Sequence, residues 1–320
     1  MSWVIAGLLW ALVVAKTITR RPHASNVMLW CAVVFALSFS TDIGELFQPL
    51  DRFLGGWNIT NIAGHLLFST GVYLLSRSVI TAALPHKAER VERWNRGLLG
   101  VVLLAQLATF STVETTGSTD RFSVTYGTQD AALWYAMVEI VYTILVLGIT
   151  ALVAMVHLGK FRAGRYRVGM LLTAIGCVLA TATEITGIEY VLRIHSGTIG
   201  ALSWFALQHD LLFALAALTL VTGFAVPSVA GWVRRWFRHH EARAKLVALR
   251  PIWEEATLGR QTIDLDESTP PSQQLHRMVV EIRDASRVDP EVARRLQERF
   301  DYQVEQTIED SERFLAGHHV

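Results

Sequence analysis

The sequence predicts an all-α membrane protein: seven transmembrane helices followed by a small helical tail on the cytoplasmic side. Three observations predict it. The 320-residue chain is 52% hydrophobic and only 18% charged, with a mean hydropathy of +0.34, too apolar for a soluble domain of this length. Its polarity is split, with long apolar blocks over 1–226 and an Arg-, Glu-, Asp- and Gln-rich stretch over 234–320. Basic residues alternate between rich and poor in successive connections between the apolar blocks. The net charge of +1 sums two different regimes and says nothing about partners.

Crossing roughly 30 Å of hydrocarbon takes about 20 apolar residues. Seven stretches approach that length: 3–18, 27–47, 58–80, 97–113, 133–157, 168–192 and 202–226. The first is the shortest, and Lys16 must snorkel from its end. No Lys or Arg precedes Lys16, so the stretch lacks the basic start of a signal peptide and reads as a retained span. Connections one, three and five carry Lys16, Arg20 and Arg21; Lys87, Arg90, Arg93 and Arg96; and Lys160, Arg162, Arg165 and Arg167. The tail opens with Arg234, Arg235 and Arg238, whereas the other connections hold only Arg52, Arg121 or Arg193. The positive-inside rule therefore puts the amino terminus outside and residues 227–320 in the cytoplasm of a multi-pass cell-membrane protein. Cys31 and Cys177 fall inside spans and read as small packing residues. The acidic, Thr-rich segment "TVETTGSTDRFSVTYGTQDA" reads first as a disordered connection and second as a lid.

A polar side chain within a span needs a partner, a water cavity or a function. The candidates are Asp42 and Glu45, His65, Glu139, Glu184 and Glu189, and the triplet Gln208, His209 and Asp210. His65, Glu139, Glu184 and His209 lie six to eight residues from the outer end of their spans, a depth of roughly 9–12 Å. All nine sit in the outer halves, and the inner halves carry almost no ionisable groups. The simplest account is one acidic cavity open to the extracellular face, holding a small molecule or ion. Separate structural pairs are the alternative.

A shift of 144 residues pairs His65 with His209, Glu45 with Glu189, Lys16 with Lys160 and Gly56 with Gly200. It implies a three-plus-one-plus-three parallel repeat about the membrane normal, with span four as linker and the two histidines facing across the axis. No glycine-rich phosphate loop, nucleophile elbow or HExxH pair occurs, and no cofactor is expected. A divalent metal on His65 and His209 is the lesser alternative to hydrogen bonding between histidine and carboxylate.

The tail predicts a basic aromatic juxtamembrane helix over 229–258, then helices at about 272–286 and 289–316. In the last, Val292, Leu296, Phe300, Val304 and Ile308 repeat every four residues, a stripe for a partner helix or a small bundle. No ATP-binding segment follows His276, which rules out a kinase, and nothing points to nucleic acid. The phrases "LRPIWEEA" and "LHRMVVEIRDA", behind seven spans, resemble an actinobacterial family of membrane proteins labelled transporters, which end in a cytoplasmic domain of unknown function. The resemblance covers the architecture and residues 249–285; beyond that, the family's longer helical end is shortened here. It implies a membrane carrier and transfers no binding or catalytic residue. Its motif positions are Leu249, Pro251, Trp253, Arg277, Glu281, Ile282, Arg283 and Asp284, for which a structural role in the tail is the default.

Three functions follow as expectations. The first is a carrier for a small cationic or protonatable solute. The second is a receptor-like sensor signalling through the tail, by self-association or a cytoplasmic partner. The third and weakest is a metal-dependent membrane hydrolase, so enzymatic activity is not the leading expectation.

Overall fold

The computed structural model describes residues 2–19, 26–160, 164–198, 204–258, 269–300 and 303–316. Arg20, Arg21, Arg162 and Gly200, used above for orientation and repeat, lie outside them. Every regular element among the described residues is helical. They form two compact units, Met1–Ala230 and Gly231–Val320.

The first unit holds α1 (Ser2–Ile18), α2 (Val27–Thr41), α3 (Gly44–Phe53), α4 (Ile59–Ala83), α5 (Ala88–Ser111), α6 (Phe122–Tyr126), α7 (Asp130–His157), α8 (Gly164–His195) and the first part of α9 (Trp204–Ala256). α1 packs on α2, α2 on α4, α4 on α7 and α7 on α8, while α5 leans on both α4 and α7. The shared core contains Leu9, Phe35, Val72, Leu75, Tyr142, Leu147 and Cys177. Outward faces are apolar too, with Leu104, Ile149, Leu171 and Leu215 exposed. A bundle apolar both inside and outside is suited to lipid rather than water. The two cysteines are free and buried, and the Cys31 thiol points to the Gly71 carbonyl at 3.7 Å.

Four helices (α4, α7, α8 and α9) are long and apolar enough to cross a membrane. The expected second span does not run straight through 27–47. The chain leaves the helical conformation at Ile43 (φ −84°, ψ 109°), and α3 departs from α2 at 90°. The cause is local. α3 is amphipathic, burying Phe47 and Asp51 while exposing Glu45, Leu46 and Phe53, so it suits an interface rather than a core.

α3 also anchors a polar cap. Asp51 is fully buried and accepts the backbone N–H groups of Asn58 (3.1 Å) and Thr60 (2.9 Å), donors that the first turn of α4 leaves without helical partners. Asn58 holds a left-handed conformation (φ 57°); its amide donates to the Gly117 carbonyl at 2.7 Å and accepts from Thr119 N–H at 2.8 Å. The Tyr126 hydroxyl donates to the same carbonyl at 2.6 Å. The segment expected first as a disordered connection is thus folded, and it contains α6.

Burial alone would raise the Asp51 carboxyl, but the donors facing it outweigh burial and hold it below the ordinary value. With a lowered folded-state value, this stabilisation is present above the unfolded pKa of about 3.9 and lost as pH falls through the folded one. Asp51→Ala is expected to cost about 1.5–3 kcal/mol at neutral pH, a deficit that shrinks under acid, read by thermal unfolding across pH.

The second unit contains the end of α9 with α10 (Pro271–Val288), α11 (Pro290–Phe300) and α12 (Gln303–Ala316). Two helices stand where one was expected over 289–316; residues 301 and 302 lie outside those described. The four-residue stripe is absorbed internally. Val292, Leu296 and Ile308 are buried with Leu249, Leu275, Met278 and Ile282, and Phe300 and Val304 pack against them. The motif residues build this core: Trp253 Nε1 donates to Glu281 Oε2 at 2.6 Å, and Arg277 Nε donates to Glu281 Oε1 at 2.7 Å. Arg283 pairs with Glu305 and Glu312, and the buried Glu255 is met by Arg295 and Arg299. Pro251 and Asp284 are exposed. Leu249→Ala, which removes a fully buried side chain, is expected to cost about 2–5 kcal/mol and to speed hydrogen exchange in α10–α12.

Candidate functional site

One end of the first unit holds a cavity of ≈ 220 Å³. Five helices and the cap wall it: Ser38 and Asp42 come from α2 and its end, His65 from α4, Ser123 from α6, Glu139 from α7, Glu184 and Tyr190 from α8, and His209 from α9. The side-chain surface that His65 leaves accessible (35%) belongs to a residue on this wall.

Glu139 is the most constrained group. Its Oε2 lies 2.7 Å from His65 Nδ1 and 2.8 Å from Gln106 Nε2. Gln106 is fully buried and sits 3.2 Å from the Ser69 hydroxyl, and the Tyr142 hydroxyl in turn reaches the Ser69 carbonyl at 3.3 Å. Gln106 donates to this oxygen, and the direction of the His65–Glu139 hydrogen bond is set by the tautomer and protonation of the imidazole. The Tyr135 ring meets His65 edge-on at 5.2 Å.

The opposite wall is less satisfied. The His209 ring stacks between Tyr190 (5.9 Å) and Phe213 (6.5 Å), and its enclosed Nδ1 has no hydrogen-bond partner. Glu184 forms neither a hydrogen bond nor an ion pair among the described residues. Gly187 keeps space open, since a β-carbon there would lie 3.3 Å from the His209 ring and 3.9 Å from Glu184 Oε2. The floor is aromatic: Phe39 sits 6.5 Å from Phe68 and 5.5 Å from Phe213, centroid to centroid.

Of the nine candidates, Asp42, His65, Glu139, Glu184 and His209 share this cavity. The other four do not. Neighbours on a helix differ by about 100° in direction, so with His209 turned inward, Gln208 and Asp210 fall on exposed faces of α9. Glu45 lies beyond the break in α3 and accepts Trp3 Nε1 at 2.9 Å. Glu189 is exposed and bound to Arg193 at 2.6 Å, one helical turn away.

The proposed repeat is therefore uneven. Its histidines reach one cavity, but "TDIGELF" breaks a helix whereas "TEITGIEY" lies within the unbroken α8. Gln106 escapes the sequence reading because span four reads there as a plain linker, although an amide in "LLAQLATF" is the kind of signal that marks a buried network. Among the described residues, no three His, Cys, Asp or Glu side chains converge as a metal site. No protein-family model matches the chain, and neither does any curated protein or solved structure.

Proposed function

We propose that this chain is a multi-pass carrier for a small cationic or protonatable solute, with seven spans, the amino terminus outside and the tail in the cytoplasm. One observation carries the reading. The cavity sets three carboxyl groups (Asp42, Glu139 and Glu184) against two imidazoles, with no Lys or Arg among the described residues of its wall. Even with both histidines protonated, fully ionised carboxyl groups leave an excess of negative charge, which attracts a cation. An arriving ammonium group finds Glu184 unengaged and competes with His65 for Glu139. That competition links solute entry to the protonation of His65, as an exchanging carrier requires. The tail resemblance supports the same reading.

A sensor is the second reading, favoured by the aromatic floor beneath the cavity and by the tail's own core. Uptake of labelled methylammonium into proteoliposomes separates the two. The carrier reading expects saturable uptake that survives removal of residues 231–320. Specific binding without uptake, together with a tail response to the ligand, would favour the sensor.

A further inference from the structure

Beneath the acidic cavity lies a second chamber of ≈ 50 Å³, and its wall is almost wholly apolar. Phe35, Phe39, Leu75, Ala180, Ala217 and Phe224 are among the residues that form it. The helices repeat one pattern. Each presents a residue to the acidic cavity and, further along towards the other end of the bundle, an apolar residue to the chamber: Ser38 then Phe35 on α2, His65 then Leu75 on α4, Glu139 then Leu147 on α7, Glu184 then Ala180 on α8, and His209 then Ala217 on α9. Phe68, Glu184 and Phe213 line both spaces, so the spaces adjoin and a carboxylate sits at their junction.

A hydrated inorganic ion would use only the upper space, and water gains little in a chamber whose described wall offers one polar side chain, Glu184 at the junction. A ligand with a charged head and a hydrocarbon end uses both. The aromatic rings of Phe68 and Phe213 at the junction, and of Tyr190 in the acidic cavity, suit an alkylated ammonium head as well as the carboxylates do.

We propose that the solute is an amphiphilic amine, its ammonium head held between Glu184 and Glu139 and a short alkyl or aryl end seated in the phenylalanine-lined chamber. This rests on the cation-binding reading above and goes further by assigning the second chamber to the ligand.

The test is calorimetric binding of n-alkylammonium ions, from methyl to octyl, to the full chain in nanodiscs. Empty nanodiscs and the matching n-alkyl sulfonates serve as controls for partition into lipid. Affinity is expected to climb about fourfold per methylene over the first few carbons and then to level off as the chamber fills. Ala217→Phe and, independently, Ala180→Leu intrude on the chamber and should flatten that climb; either variant alone suffices. Methylammonium binding with no gain from longer chains would overturn this inference and leave the acidic cation site standing. An equal climb for the sulfonates, or one that never levels off, would assign the gain to lipid and also overturn it. Absence of binding by every member would overturn the cation reading itself.

Discussion

Glu139→Gln is expected to weaken methylammonium binding by about 10- to 100-fold, the range for losing one charged hydrogen-bond partner worth roughly 1.5–3 kcal/mol. The substitution keeps the side chain's shape. Gln106 and His65 still find an oxygen, so thermal stability should change far less than affinity. Glu139→Ala should instead damage both, because it leaves the fully buried Gln106 amide short of an acceptor. The exposed positions provide the contrast. Asp210→Asn, Gln208→Ala and Glu189→Gln face away from the cavity and should leave binding within about twofold of wild type.

Gly223→Leu is the second large effect, and it acts at a distance from the charges. A β-carbon at residue 223 would lie 2.8 Å from the backbone nitrogen of Thr173 and 3.1 Å from the Gly169 carbonyl. Both atoms belong to the backbone of α8, so no side chain can move aside. α9 must separate from α8, and a whole leucine should cost at least the roughly 3 kcal/mol at the upper end for overpacking. Because α8 supplies Glu184 and α9 supplies His209, ligand binding should fall together with the melting temperature. Gly148→Ala is the control: nothing lies within 4 Å of the added carbon, and alanine in that mid-helix position should be neutral or stabilising by about 0.5–1 kcal/mol.

Much of the architecture was legible because a bilayer imposes simple rules. Long apolar runs and a change of composition near residue 230 gave the helical bundle and the separate tail. Position along each apolar run groups His65, Glu139, Glu184 and His209, and these four share one cavity. Direction around a helix was not. Within a run that is apolar on every side there is no periodicity to orient it, so Gln208 and Asp210 could not be told from His209. The break at Asp42 and Ile43 was hidden for a similar reason, since in "LSFSTDIGELF" apolar residues continue on both sides of the polar ones and no proline marks the turn. The folded cap was invisible because it depends on a few long-range bonds, Asn58 to Gly117 and Thr119 among them, across some sixty residues of sequence. Composition alone made that segment look loose.

The claim that a cation-selective cavity opens to the outer face can be tested directly by accessibility. Ser123 lines the cavity, is exposed and differs from cysteine by one atom, while the native Cys31 and Cys177 are buried and should stay silent. Ser123→Cys in sealed vesicles of known orientation would be exposed from outside to impermeant methanethiosulfonates, one bearing trimethylammonium and one bearing sulfonate. The account predicts rapid modification by the cation, at least tenfold slower modification by the anion, and protection by methylammonium. Equal rates for the two reagents, or reaction from the tail side alone, would contradict it.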